Sequence, residues 1–489
     1  DITYRIPYIT ESVFLPLYYT HKIFPMKIRC EPNSCHHLVS TWSIILSLLL
    51  VVVSAHGKHG TTHASSPHEE ELSKEWLISY LSRAATISGF LSPLHGPDPV
   101  SQNTSDTIRM MKRTGVRYAG RTVFLWGRES ILPNMLPHVK KNVDATHDVL
   151  PDVILEGAIF EIVTKHGVES LPIPPHVFLA FDLPPITRNF NYTAMLFPND
   201  TTFLNKWGPN TTVPDLTQLE SRLWFFYLGS LYILNGIEAL HCGQILLMSR
   251  DDVGMIETED LFGRLRVFAN RNARRGFVLL NAHVYNGPHA YWNNTDRLLF
   301  DFHAFPSRPR PHPFSFNNNT TSNPAKMKNN CTLEIGFEDS IYQKSAGGIH
   351  PVGKWRTASL PYLVELDNYG CTNHPGTQHP DDLFHPFGWD EISWYAHQPN
   401  RYRDDWLVYA VSWLDENDRG VGNFEMPMMR RVCDSTGFSE DRVKGASFYY
   451  ASDQVEEGFG QEDVIARIWR SRMEEENSVD VHVHAIADN

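Results

Sequence analysis

Apolar and polar positions along the chain follow two periods, and the switches between them mark out a repeating series. Leu219, Leu223, Phe226, Tyr227, Leu231 and Leu234 recur at three- and four-residue steps, the stripe of an amphipathic helix. Asn235-Gly236 directly after them is the expected stop. Within residues 362–369, Val364 and Leu366 alternate with Glu365 and Asp367, the period of a strand, so the two acids share one face. The same reading predicts strands over residues 84–90, 118–126, 153–163, 237–244, 277–284, 298–305, 362–369 and 423–429. Helices are predicted over 105–114, capped by Ser105-Asp106, and over 131–150, 219–234, 260–275 and 390–417. Residues 165–215, rich in Pro, Asn and Thr, interrupt the series as a loop or small subdomain.

Eight strands with mainly helical crossovers in one series predict the α/β class and a (β/α)8 TIM-type barrel with long loops over residues 80–430. An open doubly wound sheet is the competing architecture, but no GxGxxG or GxxxxGK loop follows any strand. Residues 431–489 form a C-terminal extension, in which a helix over 461–473 packs on the barrel and the acidic end frays.

The segment ahead of the barrel has a different character. Residues 1–25 show neither period nor capping pattern and are expected to be non-native upstream sequence. From Met26, basic Lys27 and Arg29 precede an apolar run over 44–53 and the small residues of Val53-Ser54-Ala55, the pattern of a signal peptide over 26–55. That run of about ten to fourteen residues falls short of the roughly 20 a bilayer span needs, so cleavage without a stable membrane span is expected. A signal anchor is the alternative. Residues 56–79, rich in His, Ser, Thr and Glu, read as a linker.

Eight Asn-x-Ser/Thr sites, at Asn103, Asn191, Asn199, Asn210, Asn293, Asn318, Asn319 and Asn330, predict N-linked glycans on a secreted, extracellular protein. Of six cysteines, two lie in the leader. The other four show no CxxC spacing for zinc; a Cys331–Cys371 disulfide is plausible in an oxidising compartment, and Cys242 reads as buried and free. The net charge of −13 and the lack of any long Lys/Arg run exclude a nucleic-acid partner, because phosphate binding needs a positive face.

Chemistry is expected at the C-terminal ends of the strands. Asn281 and His283, Asp301 and His303, and Glu365 and Asp367 are each two apart, which aims all six at the barrel mouth, with their apolar neighbours toward the helices. His241 has the matching phase, with Gln244 just beyond it, Glu161 closes the third strand, and Glu156, earlier and of opposite phase, is the weaker candidate. Asn368 and Glu391 flank the seventh strand's loop, although Asp390 and Glu391 also suit a helix cap. Trp126, Trp207, Trp389 and Trp394 offer a sugar-stacking platform, each with core packing as its ordinary alternative.

Carboxylates, imidazoles and aromatics together point to glycoside hydrolysis, in which one carboxylic acid protonates the leaving oxygen and one carboxylate acts as nucleophile or base. Glu161 and Glu365 are the first pair and Asp301 and Asp367 the next. Hydroxyl binding falls to His241, Gln244, Asn281, His283, His303, Asn368, Glu391, Trp126 and Trp389. Neither a cofactor nor a metal is called for, and the partner is a carbohydrate. A metal-dependent hydrolase on His283, Asp301, His303 and Asp367 and a non-catalytic carbohydrate-binding barrel are the alternatives.

The strings GIEALHCGQ, LLFDFHAFP, LPYLVELDNYG and GWDEISWYAHQPNRYRDDWLVYAVSWL carry a resemblance. Over about residues 80–430 the chain resembles a group of uncharacterised exported proteins, mainly bacterial, with a glycoside-hydrolase-like barrel and no assigned reaction. The resemblance implies that fold and no mechanism. Compared with the large glycosidase clan bearing catalytic Glu residues after strands four and seven, Glu365 stands on strand seven, while strand four carries His241-Cys242-Gly243-Gln244 and no Asn-Glu pair.

Overall fold

The structure is a computed structural model that describes residues 14–19, 22–27, 72–92, 103–284, 287–311, 331–333, 345–368, 390–418, 420–432 and 448–487. Two compact units result, Asp1–Ser65 and Ser66–Asn489. In the first, Phe14–Tyr19 pairs antiparallel with Lys22–Lys27, in a stretch for which the sequence shows no clear period. The apolar run of the leader, Trp389, Cys371, Asn318, Asn319 and Asn330 lie outside the described residues.

The second unit opens with helix α1, Lys74–Leu81, which begins inside the segment read as a linker. The Ser73 hydroxyl accepts from the Trp76 N–H, and Leu77, Tyr80 and Leu81 are buried, so one capped turn and an apolar face suffice to order it. Strands β1 (Ala84–Ile87), β2 (Tyr118–Phe124), β3 (Ile154–Ala158), β4 (Ala239–His241) and β5 (Leu279–Asn281) pair in parallel in sequence order. Strands β6 (His303–Pro306), β7 (Tyr362–Glu365) and β8 (Gly422–Phe424) form a second parallel sheet. Strand β9, Met426–Arg431, follows β8 after Glu425 alone and pairs in parallel with β1. β5 and β6 are also linked: the Asp301 N–H donates to the Leu280 carbonyl and the Ala304 N–H to that of Ala282. The architecture is mixed α/β with a parallel central sheet.

Most predicted strands are shorter than read, because the alternating pattern continues into the loop beyond the last ladder bond, and the strand expected over 423–429 is instead two, β8 and β9, divided at Glu425 between the two sheets. The crossovers include α2 (Thr104–Thr114), α3 (Leu132–Val149), α4 (Leu219–Leu234) and α5 (Ile256–Asn272). Asn103, not Ser105-Asp106, caps α2, accepting from the Asp106 N–H. The expected helix over 390–417 is broken into α6 (Glu391–Ala396) and α7 (Asn400–Asp418) around Pro399, which lacks the N–H a continuous helix needs. The C-terminal segment belongs to the same unit: β10 (Phe448–Tyr450) adds antiparallel to β9, and α8 (Glu462–Ala487) runs on through the end read as frayed.

Two buried clusters sort the strand faces. Ala84, Tyr118, Ile154, Ala239, Leu279, Phe302 and Leu363 pack with Leu77, Tyr80 and Leu81 of α1 into an apolar floor. Two residues further along several of those strands, on the same face, the side chains turn polar: Glu156, His241, Asn281 and Glu365. The remaining strand residues join the larger core beneath the helices.

Candidate active site

Arg121 is the centre of the polar layer. It interrupts β2 with a left-handed backbone, φ 55°, where the register with β3 shifts between Ala119 and Val123. For a residue with a Cβ that conformation costs about 1–2 kcal/mol, and here it aims a guanidinium along the polar face. The side chain is buried, and its Nη2 meets Glu365 Oε1 in an ion pair, His241 Nε2 at 3.3 Å and His283 Nε2 at 3.2 Å.

Hydrogen counting fixes the roles. His241 Nδ1 lies 2.7 Å from Asn281 Oδ1, so Nδ1 carries the proton and Nε2 accepts. Burial, with Arg121 next, drives the His241 pKa well down, which keeps that imidazole neutral. Nη2 has two hydrogens, which go to His241 and Glu365. His283 Nε2, 3.2 Å from Glu365 Oε1, must then donate to that carboxylate.

Arg430, on β9, is the second cation. Its Nη1 stands 3.2 Å from Glu365 Oε2, and its Nη2 3.4 Å from Asp367 Oδ1 and 3.3 Å from Asn368 Oδ1. Burial raises the Glu365 and Asp367 pKa values, but Arg121 and Arg430, joined at Asp367 by His283, outweigh it and hold both below the ordinary carboxylate range. Both acids are therefore ionised at neutral pH. Asp367 Oδ2 has no hydrogen-bond partner among the described residues, although it is buried.

Glu391 supports this pair from behind. Its Oε2 accepts from the Ser307 hydroxyl at 2.6 Å and from the Asp367 N–H at 3.1 Å, and Oε1 pairs with Arg308 Nη1 at 2.8 Å. Burial pushes its pKa up to about 7 despite Arg308. Asp390 caps α6 through the Ser393 N–H, and burial takes its pKa up to about 8. Glu391 is thus consumed by Arg308 and the chain after β7, not turned toward a ligand as the sequence reading had it.

Glu161 stands beyond the end of β3, with Oε2 accepting from the Gln244 N–H at 3.0 Å. Gly243, at φ 51°, makes room for it, since a Cβ there would strike the same oxygen. Burial raises its pKa, and the Gln244 bond, His283 and Arg121 only partly offset that. Beside it Trp126, 41% exposed, packs edge-on against Trp207 and Phe160 at 5.3 and 5.5 Å. Phe160 lies 6.0 Å from the His241 ring, and Trp207 Nε1 donates to the Glu161 carbonyl. An aromatic wall therefore runs from the surface to the polar layer.

The structure thus brings together Glu365, Asp367, His241, His283, Asn281 and Asn368, with Glu161, Gln244 and Trp126 beside them. Asp301 and His303 are not among them, and the assignment of strand six is corrected. Phe302 occupies the floor, 5.5 Å from Tyr118, so its neighbours face the helices. There Asp301 Oδ2 accepts from the Leu280 N–H at 2.7 Å and meets Arg266 of α5 at 3.2 Å, while His303 Nδ1 contacts the Ser345 hydroxyl. Period two separates the faces of FDFHAF but does not say which face is which. Trp394 is fully buried packing. Glu156, ranked weaker by phase, is central: Tyr118, Asn281 and the Arg121 N–H all donate to it.

The metal set His283, Asp301, His303 and Asp367 is not assembled. A different triad is: His283, Glu365 and Asp367 bring one ligand atom each within 4.8 Å of one another. Arg121 and Arg430 already pair with both of its carboxylates.

No family model matches the chain, and no curated protein does. Solved structures similar to it include a GH27 β-L-arabinopyranosidase from Geobacillus stearothermophilus, at TM-score 0.25 and 14% identity over 46% of this chain and 51% of that one. A family 39 glycoside hydrolase from Bacteroides cellulosilyticus WH2 follows at TM-score 0.35 and 12% identity, over 78% of this chain and 64% of that one. A third is a truncated 3-deoxy-D-arabino-heptulosonate 7-phosphate synthase from Thermotoga maritima, at TM-score 0.24 and 9% identity over 81% and 88%. The chain spans less than two thirds of the length of either hydrolase.

Proposed function

We propose that this protein is an exported hydrolase that cleaves a glycan with the carboxyl groups of Asp367, Glu365 and Glu161. The observation that carries the reading is Asp367 Oδ2, a buried carboxylate oxygen with no hydrogen-bond partner among the described residues, beside two guanidiniums that keep its acid ionised. An ionised oxygen held without a donor is what a nucleophile or general base requires, and Glu161, raised by burial, suits the proton donor. The exposed Trp126 face suits the apolar side of a pyranose ring. The two sheets are read as arcs of one (β/α)8 barrel, joined through the Asp301 and Ala304 N–H bonds and the β8 to β9 passage. Export follows from the leader pattern and the sequons, of which Asn191, Asn199, Asn210 and Asn293 are exposed.

A metal-dependent hydrolase is the second reading, favoured by the His283, Glu365 and Asp367 triad alone. Residues 56–489, secreted from a eukaryotic host, are to be screened against aryl glycosides and natural oligosaccharides with and without chelator. Turnover indifferent to chelation is expected. Loss with chelator and recovery with metal supports the triad instead, and binding without turnover supports a non-catalytic carbohydrate receptor.

A further inference from the structure

The excursion over residues 165–215 holds a cavity of about 280 Å³ that the proposed chemistry leaves unused. Leu196, Phe197, Phe203 and Leu204 give it apolar walls, and Asn199 and Thr201 stand on its lining. Those two are the ends of one sequon, Asn199-Asp200-Thr201. The other exposed sequon asparagines, Asn191, Asn210 and Asn293, do not line it.

Local chain geometry puts the asparagine at the rim. The Asp200 N–H donates to the Phe197 carbonyl across Pro198 and Asn199, and Asn199 takes φ 61°. Proline followed by a left-handed asparagine fits a type II turn, which leaves Asn199 exposed at the tip, two residues from Phe197. The wall is fixed by the protein itself. Phe197 and Phe203 have ring centroids 5.2 Å apart, the Arg250 guanidinium covers both at 4.4 and 5.0 Å, and its Nη2 meets Asp200 Oδ2 at 2.7 Å. Leu204 remains 40% exposed.

A cavity of this size is small for a whole ligand and suits a single sugar ring. The C–H face of a pyranose and the methyl of an N-acetyl group match the leucines and phenylalanines, while the open rim leaves hydroxyls in water. The occupant need not diffuse in. A sugar joined to Asn199 Nδ2 is already at the rim, and a tethered group gives up little further freedom on binding.

We propose that the first N-acetylglucosamine of a glycan on Asn199 occupies this cavity and stabilises the excursion, an inference that rests on the export reading and not on the hydrolase chemistry. In the attachment step Asn199 Nδ2 bonds to C1 of that sugar, the diphosphate of a lipid-linked oligosaccharide donor leaves, and the amide gives up one proton. The consequence reaches the candidate site. Leu204 bridges to Thr212, and the loop between them carries Trp207, whose Nε1 donates to the Glu161 carbonyl, so fixing the start of that loop steadies the aromatic wall.

The test uses the full chain secreted from a eukaryotic host that adds high-mannose glycans, with site occupancy read by mass spectrometry and amide hydrogen exchange followed over residues 197–206. Untreated protein is compared with protein trimmed by an endoglycosidase to one sugar per site and with protein stripped by an N-glycosidase. Exchange in the trimmed form should match the untreated protein, and in the stripped form it should be about tenfold faster. T201A, which removes the sequon and keeps Asn199, should behave as the stripped form, and T201S, which keeps the sequon, as the parent. Should T201A not fold, the stripped parent carries the comparison. An unmodified Asn199 in a chain glycosylated elsewhere overturns the proposal and leaves export standing, and equal exchange with and without the sugar overturns it as well. A chain retained in the cell with no glycan at any sequon overturns the export reading, and the proposal with it.

Discussion

At the residue scale the site is a contest between burial and two arginines, and the outcome differs from one acid to the next. Arg121 and Arg430 win at Glu365 and Asp367, whereas burial wins at Glu161, where the Gln244 bond, His283 and Arg121 offset it only in part. Replacing Asp367 by Asn keeps shape and removes the charge on Oδ2, so turnover is expected to fall by about 10²–10⁴-fold with the melting temperature little changed. Parent-like turnover in D367N would take Asp367 out of the chemistry. The stereochemistry of the product then says whether the oxygen attacks the sugar or activates water. Glu365 and Asp367 were legible in the sequence because an alternating strand puts them on one face. Arg121 and Arg430 were not, although a charged residue in an otherwise buried strand is a signal in itself. A buried arginine must be paired, and sequence does not name its partner.

Among the elements, the ends carry the most information. Each strand's polar tail continues its alternation past the last ladder bond, which is why predicted strands ran long while their residues were still found at the site. The strand whose faces were misread, β6, has apolar residues on both of them, and only the fit of Phe302 against Tyr118 selects its inward side. Helix α6 shows what an end can do electrostatically. Its cap, Asp390, bonds the Ser393 N–H at 2.7 Å, yet burial, with Asp367 nearby and Arg430 in opposition, lifts its pKa to about 8. A folded pKa above the unfolded one means that the native state holds the proton longer. The associated stability is fully present below the ordinary carboxylate range and is lost as the pH rises to about 8. D390N keeps the cap oxygen without the ionisation, so its stability should decline less over that window. D390A should lose about 1 kcal/mol at every pH. Urea melts across the range check both, and equal pH slopes in parent and D390N would refute the assignment.

For the whole molecule, the sequence divided barrel from extension at residue 431, whereas the structure runs through that boundary. β10 pairs with β9, the strand that carries Arg430, and the Ala451 N–H donates to the Met428 carbonyl. α8 is fastened to α2 by Arg109, which makes 2.7 and 2.8 Å bonds to the two oxygens of Glu462, and β10 is fastened to α2 by Tyr450, whose hydroxyl meets Asp106 at 2.7 Å. The boundary was invisible because these partners lie more than 300 residues apart and no local period links them. A chain ending at residue 432 would leave β9 as an open edge, unpaired on the side that β10 covers, and would take Val464, Ile465 and Trp469 out of the buried core they join. Such a chain is expected to aggregate or to melt well below the parent. In the full chain, R109A should destabilise by about 1–3 kcal/mol, because it leaves buried Glu462 with Arg113 and the Asp453 N–H and takes away its bidentate partner. Calorimetry of the full chain from residue 66 should then show one transition, displaced as a whole by R109A. A second, separable transition that alone responds to R109A would mean that the extension folds by itself and that Arg430 is held in place without it.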